Sequence, residues 1–208
     1  MIDKLYINGN NIENVGFFLK WRTISLPVPK TDRVDIPGSD SSIDLTEANG
    51  RVFYELREID LGMIHPNDDY IQDFDSLCKY HGENVSISFE SDPTRYFHGR
   101  LFVDKYNKRD HELVMRAEVY PFRFDKQETV YTVKTDKSIM LVNDTMPVTP
   151  KIEVIGSATL SWKTYIKALS AGTYYVDNLN LSKRESLELT VSLGENSSVR
   201  VSYRKGRL

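Results

Sequence analysis

Short segments in which apolar and polar residues alternate recur along this chain, and they constrain its fold more than any other feature. The clearest of these segments are 17–21, 52–61, 85–89, 96–103, 113–119 and 129–134. They are rich in β-branched and aromatic residues, which suit a pleated sheet with one buried face. The pattern therefore predicts a mainly β protein.

One segment has the spacing of a helix instead. The apolar positions that recur at helical spacing are Tyr70, Ile71, Phe74, Leu77 and Cys78. Asn67 or Asp68 can cap the N-terminus of this helix, and Gly82 can stop it. Because Cys78 lies on the apolar stripe, we expect a core residue rather than a reactive thiol. The predicted fold class is α+β, mainly β with one packed helix.

A cluster of turn residues with two prolines, Asn143 to Pro150, predicts a boundary between a domain at 1–142 and a smaller domain at 143–208. Charge supports two units, since the net charge is −6 over residues 1–140 and +3 over residues 141–208. Short strand-like segments with Gly and Asn turns fill the smaller domain, which predicts a small β-sandwich.

The overall charge of −3 and the absence of a basic cluster argue against a nucleic-acid-binding face. No signal peptide is recognisable at the N-terminus, and no apolar stretch approaches the roughly 18 residues of a membrane span. We therefore expect synthesis in a reducing cytosol, which agrees with the single cysteine, and no membrane partner.

Sequence patterns for catalysis or cofactor binding are missing. The four histidines are scattered, none has zinc-ligand spacing with another His or Cys, and each is expected at the surface or in a loop. No nucleophile elbow, phosphate-binding loop or dinucleotide fingerprint occurs. The sequence therefore predicts a protein without a metal, a cofactor or an enzymatic activity.

The run from Asp35 to Ala48 combines a tight turn at Pro37-Gly38 with a polar, acidic loop. Its acidic residues Asp40, Asp44 and Glu47 leave a hydrolase as one alternative. A calcium loop fails because the required mid-loop glycine and spacing are missing. We favour a structural role, in which Ser and Asp side chains hydrogen-bond the backbone of an irregular loop.

A second alternative is a carbohydrate-binding β-sandwich module. Four aromatic residues, Trp162, Tyr165, Tyr174 and Tyr175, cluster in the smaller domain and could form a platform for a sugar ring. The competing interpretation is that these side chains supply the core of a small sandwich, which needs their apolar area. We favour the core interpretation.

Several segments, in this order, resemble parts of the distal tail (Dit) proteins of long-tailed, non-contractile bacteriophages. They are Asp35–Ala48, Asp92–Leu101, Val119–Phe124, Asn143 with Pro147 and Pro150–Gly156, and Val199–Leu208. The first is the most specific, since it is similar to a stretch of the form VPG-x-D-G-x-LDLTEA. It departs from that pattern at Ser39 and Ser41, where the family often has Arg and Gly.

The resemblance implies a structural hub at the phage tail tip. N-terminal domains of barrel-like or sandwich form would make a hexameric ring, and galectin-like C-terminal domains would project outward. The ring would join the major tail tube protein to a tail-associated lysin and to tail fibres or receptor-binding proteins. The protein would reside in the virion after synthesis in the bacterial host cytoplasm, and DNA would pass through the channel without specific binding.

On this interpretation, one set of loop residues lies close to a subunit or domain contact. The set consists of Asp35, Ile36, Pro37, Gly38, Asp40, Asp44, Leu45, Thr46 and Glu47. If the φ of Gly38 is positive, we expect that replacing it by a β-branched residue disturbs assembly.

Overall fold

A computed structural model of the chain describes residues 3–67, 71–107 and 111–208. Contacts divide the chain into two compact units, the first ending at Arg123 and the second comprising Phe124–Leu208. Strands dominate both units, and the described residues contain one α-helix. The predicted mainly β fold with one packed helix is confirmed. No helix within the described ranges has the length and apolar character needed to cross a membrane.

The described residues of the first unit form a short 3-10 helix, one α-helix and nine strands that lie wholly within the unit. In chain order these are β1 (Leu5–Ile7), β2 (Asn10–Asn11), the 3-10 helix (Ile12–Val15), β3 (Phe18–Ile24), β4 (Arg33–Asp35), β5 (Ser42–Asp44), β6 (Arg57–Ile64), α1 (Ile71–Cys78), β7 (Asn84–Phe89), β8 (Asp92–Asn107) and β9 (Glu112–Val119). A further short strand, β10 (Arg123–Asp125), spans the boundary between the units.

Seven strands of the first unit form one antiparallel sheet in the order β2-β1-β7-β8-β9-β6-β3. The sheet curls into a nearly closed barrel. Arg22 on the edge strand β3 reaches the other side, where it donates to Ser91 Oγ over 3.1 Å and pairs with Asp3. Its guanidinium group also lies 4.0 Å from the centroid of the Phe89 ring. Side chains therefore join two ends of the sheet between which the described residues form no backbone ladder.

The barrel core follows the predicted alternation. Strand β9 is buried at every second residue, as its neighbours β6 and β8 supply apolar side chains to the same interior. From α1, Leu77 is fully buried and Phe74 packs against the core, whereas Ile71 is exposed. Cys78 is half-buried rather than a full core residue. The predicted helix start at Asp68 and the stripe residue Tyr70 lie outside the described residues.

His65 departs from the expectation that the histidines are surface or loop residues. It follows β6 and is 3% exposed. Its Nε2 lies 2.9 Å from Asp73 Oδ2 on α1, and its Nδ1 lies 2.9 Å from the Asn67 carbonyl oxygen. The ring also packs edge-on against Phe17. Burial is possible because both ring nitrogens have polar partners.

The second unit contains seven further strands, counting from the boundary. They are β11 (Thr129–Val133), β12 (Lys137–Val142), β13 (Lys151–Trp162), β14 (Tyr165–Tyr175), β15 (Ser186–Leu193), β16 (Ser198–Tyr203) and β17 (Gly206–Arg207). The main ladder runs β11-β16-β13-β15-β12, with β14 paired to β13.

A bend in β13 makes this ladder a small sandwich. The register shifts between Val154 and Ser157, and Gly156 there has a φ of +79°. The first half of β13 pairs with β16 and the second half with β15, so the β13–β14 hairpin belongs to both layers. Tyr203 on β16 connects the two layers through hydrogen bonds to β12. Its hydroxyl accepts from the Val142 N–H and donates to the Val142 carbonyl.

The boundary between the units lies earlier than the predicted division after residue 142. Strands β11 and β12 pair with β16 and β15, so the chain from Phe124 onward belongs to the second unit. The turn cluster from Asn143 to Pro150 connects β12 to β13 inside that unit rather than linking two domains. Prolines and turn residues mark both kinds of connection, which is why the pattern misplaced the boundary.

Candidate assembly surface

A long arm, defined here as residues 25–56, leaves the barrel between the paired strands β3 and β6. Within it Pro27 is the only fully buried residue, and most others are exposed. The arm starts from backbone bonding between Ser25 and Glu58, where the Ser25 N–H donates to the Glu58 carbonyl over 3.1 Å. It extends the β3–β6 pair into solvent.

Hydrogen bonds within the arm hold it together. Lys30 N–H donates to the Phe53 carbonyl over 2.8 Å, and Glu55 N–H donates to the Val28 carbonyl over 2.8 Å. Further out, β4 and β5 form a separate two-stranded hairpin. Leu45 N–H then donates to the Asp32 carbonyl over 2.8 Å. The arm is therefore an extension that is held by backbone hydrogen bonds of its own.

The predicted tight turn at Pro37-Gly38 forms the tip of the β4–β5 hairpin region. Ser39 N–H donates to the Ile36 carbonyl over 3.1 Å, and Gly38 has a φ of +81°. Proline followed by a residue of positive φ is the pattern of a type II turn. No atom lies within 4 Å of a Cβ built on Gly38, so a β-branched residue there would be strained by backbone conformation and not by collision.

The acidic residues of the arm have structural hydrogen bonds. Asp44 Oδ1 accepts from Thr46 N–H over 2.9 Å, and Thr46 Oγ1 accepts from Asp32 N–H over 3.2 Å. The bonds from Thr46, with a smaller contribution from Arg33, lower the pKa of Asp44. Glu47 accepts through its carbonyl from Gly50 N–H. These contacts shape the chain, as the structural interpretation of this loop predicted.

All nine predicted site residues lie together in the outer part of the arm. Asp35 ends β4, the residues Ile36–Asp40 form the tip, and Asp44–Glu47 follow along and after β5. Within the described part of the chain, no three His, Cys, Asp or Glu side chains are grouped closely enough to hold a metal ion. Whether the nine residues act in assembly stays a prediction.

The arm exposes an unusual set of large apolar side chains. The exposed members are Leu26, Val28, Val34, Ile36, Ile43, Leu45, Phe53 and Leu56. Leu26 is 82% exposed and Ile43 is 51% exposed. A group of exposed apolar residues on one projecting element is typical of a protein–protein contact surface. The run from Asp35 to Ala48 contains only three of these residues, Ile36, Ile43 and Leu45. The sequence signal for the other five was the alternation of apolar residues across 26–56.

The four aromatic residues of the second unit do not share one role. Trp162 is a core residue, 3% exposed, and its indole N–H donates to the Asn178 carbonyl over 3.2 Å. Tyr165 and Tyr175 are exposed, and Tyr174 is half-buried. The core interpretation therefore holds for Trp162 and fails for Tyr165 and Tyr175.

Comparison with known proteins bears on the fold of this chain rather than on a sequence family. No protein-family model matches the sequence, and no curated protein sequence is significantly similar to it. The fold is similar to the crystal structure of the Dit protein (gp 19.1) of SPP1, described as a paradigm of the hub adsorption apparatus in phages that infect Gram-positive bacteria. The TM-score is 0.70 at 13% identity, over 98% of this chain and 99% of that chain. This chain therefore has a Dit-like fold along nearly its whole length.

Proposed function

We propose that this protein is a structural component of a phage tail tip, and that its copies associate through the arm into a hexameric ring. The observation that carries the proposal is the full-length likeness of the fold to SPP1 Dit. The sequence resemblance to distal tail proteins supports the same role from different evidence. On this proposal the protein acts by assembly in the virion and has no enzymatic activity.

The arm supplies a physical reason for self-association. Burying one of its larger apolar side chains against a neighbour contributes roughly 1.5–3 kcal/mol, so several together offset the cost of joining two subunits. The arm and the barrel of the next copy are different surfaces, which makes the contact heterologous. Such a contact closes into a ring when the rotation per subunit divides the circle, as it does for six subunits.

The ring would act as a hub between other tail proteins. Its proposed partners are the major tail tube protein on one side, and a tail-associated lysin with tail fibres or receptor-binding proteins on the other. Residues 1–123 contain 15 Lys and Arg against 21 Asp and Glu. A ring channel with this balance would repel DNA, which would then pass without specific binding.

A charge placed on the arm tests its role in assembly. Ile43→Asp introduces a carboxylate on an exposed strand of the arm and removes no core contact, so the fold should remain stable. Sedimentation velocity should show assembled wild-type protein and a monomeric variant, because an unpaired charge is costly to bury at an interface.

The matched control is Ile155→Asp, which places the same charge on an exposed isoleucine of the second unit. This control should assemble like the wild type. If Ile43→Asp also assembles fully, the arm is not the contact surface. Electron microscopy of the assembled particles then tests the tail-tip role separately, by showing whether they are rings.

A further inference from the structure

The β13–β14 hairpin of the second unit borders an open cavity of about 540 Å³. Its lining includes Tyr165 and Lys167 from β14, Tyr175 at the end of that strand, and Asp177 in the turn that follows. Ligand sites in proteins commonly have volumes of roughly 300–1,000 Å³ and combine apolar walls with a few polar groups. This cavity has the size and composition of a small-ligand site.

Tyr165 forms a fixed aromatic wall in this cavity. Its ring stacks on the indole of Trp162, with centroids 5.6 Å apart and an angle of 24° between the planes. Trp162 is in turn held by the core and by its hydrogen bond to the Asn178 carbonyl. Tyr165 itself is 45% exposed. A buried aromatic supporting an exposed one holds the outer ring in place before any ligand arrives.

Three of the other lining residues add polar groups beside this wall. Lys167 supplies hydrogen-bond donors, Asp177 supplies acceptors, and the hydroxyl of Tyr175 can do either. The lysine and the aspartate carry opposite charges, so the site has no strong preference for an anion or a cation. A matching ligand therefore has an apolar face for the tyrosine ring and a rim of neutral hydroxyl groups.

We propose that this cavity binds a neutral saccharide, with one pyranose ring stacked on Tyr165 and its hydroxyl groups bonded to Lys167 and Asp177. A pyranose ring has this amphipathic shape, because its C–H groups cluster on one face and its hydroxyl groups project around the edge. The site lies wholly in the second unit and does not depend on ring assembly. The proposal therefore stands apart from the structural role of the arm.

Saturation-transfer difference NMR on the full-length protein can test this site. The probes are D-glucose, D-galactose, L-rhamnose and N-acetyl-D-glucosamine, each at about 10 mM so that millimolar affinity is detected. At least one sugar should show transfer to its ring protons. Tyr165→Ala should weaken binding of that sugar by about tenfold, because the stacking contact is lost.

Two further variants make the result specific. Asp177→Asn keeps the shape of the site but removes the charged acceptor, so it should also weaken binding. Ile155→Ala changes an exposed apolar residue of the same unit outside the cavity lining and should have no effect. The proposal is overturned if none of the four sugars gives a signal, or if Tyr165→Ala and Asp177→Asn both bind as the wild type does.

Discussion

At the scale of single residues, Gly62 is a position where the barrel has no room for a side chain. A Cβ at Gly62 would lie 2.1 Å from the indole of Trp21, which crosses over it from β3. The indole N–H also donates to Glu112 over 2.9 Å and is thereby held in place. The bulge between Leu19 and Trp21 adjusts the β3 register next to this contact.

We therefore expect Gly62→Ala to lower the free energy of unfolding by about 1–3 kcal/mol, the usual cost of overpacking. Urea denaturation at one protein concentration measures this effect. The matched background is Trp21→Ala, in which the obstructing indole is gone and Gly62→Ala should cost much less. An equal cost in both backgrounds would show that the indole contact is not the cause.

Asp3 is expected to make stability depend on pH. Burial alone would raise the pKa of this carboxyl, but hydrogen bonds from Ser91 and the charge of Arg22 outweigh burial and lower the pKa below 3.8. As the pH falls below that value, the unfolded chain takes up a proton before the folded chain does. The stabilising contribution is therefore present above about pH 4 and is lost as the pH falls through the lowered pKa of the folded state.

Urea midpoints at about pH 5 and pH 3 test this effect. Asp3→Asn should be less stable than the wild type at the higher pH, and the difference should shrink at the lower pH. A difference that stays constant between the two pH values would mean that ionisation of Asp3 does not contribute.

The role of a residue could not be predicted when it depends on partners that are far away along the chain. Asn143 was assigned to a linker, yet it is 6% exposed and its side-chain amide donates to the carbonyl oxygens of Met146, Leu181 and Ser182. Two of those partners lie almost forty residues further along the chain. In contrast, the Pro37-Gly38 turn was predictable because its hydrogen bond closes over only four residues.

At the scale of elements, the arm is separable from the barrel. Lys30 and Phe53 are already joined by a backbone hydrogen bond, and the residues between them contribute no fully buried side chain. Replacing residues 31–52 by an Asn-Gly turn should therefore leave the barrel folded, since this dipeptide closes a two-residue hairpin.

This shortened protein should keep a cooperative thermal transition close to that of the wild type, measured by circular dichroism, but should remain monomeric in sedimentation velocity. A loss of the thermal transition would show that the arm is part of the folding unit. Assembly without the arm would remove it from the proposed subunit contact.

The periodicity of apolar residues predicted the positions of most strands, but it did not predict which strands pair with each other. The strands β7 and β9 lie almost at the predicted segments 85–89 and 113–119, because their apolar residues at every second position are buried. The assignment of β11 and β12 to the first domain failed, because alternation says nothing about which sheet a strand joins.

At the scale of the whole molecule, this chain and SPP1 Dit share a fold at low sequence identity. Only 13% of residues are identical to SPP1 Dit, although the two chains align over nearly their full lengths. Two sequences can adopt one fold with few identical residues, because the fold depends on the pattern of buried positions more than on the identity of each side chain.

Assembly of six copies into a ring multiplies the mass of the particle, so the mass of the purified full-length protein in solution tests the proposed ring. Size-exclusion chromatography with light scattering measures that mass. Repeating it over about a hundredfold range of protein concentration shows whether the assembly dissociates on dilution. We predict a species of six times the chain mass of 24.0 kDa, persisting across the range. A protein that stays at the mass of one chain at every concentration would contradict self-assembly into a ring.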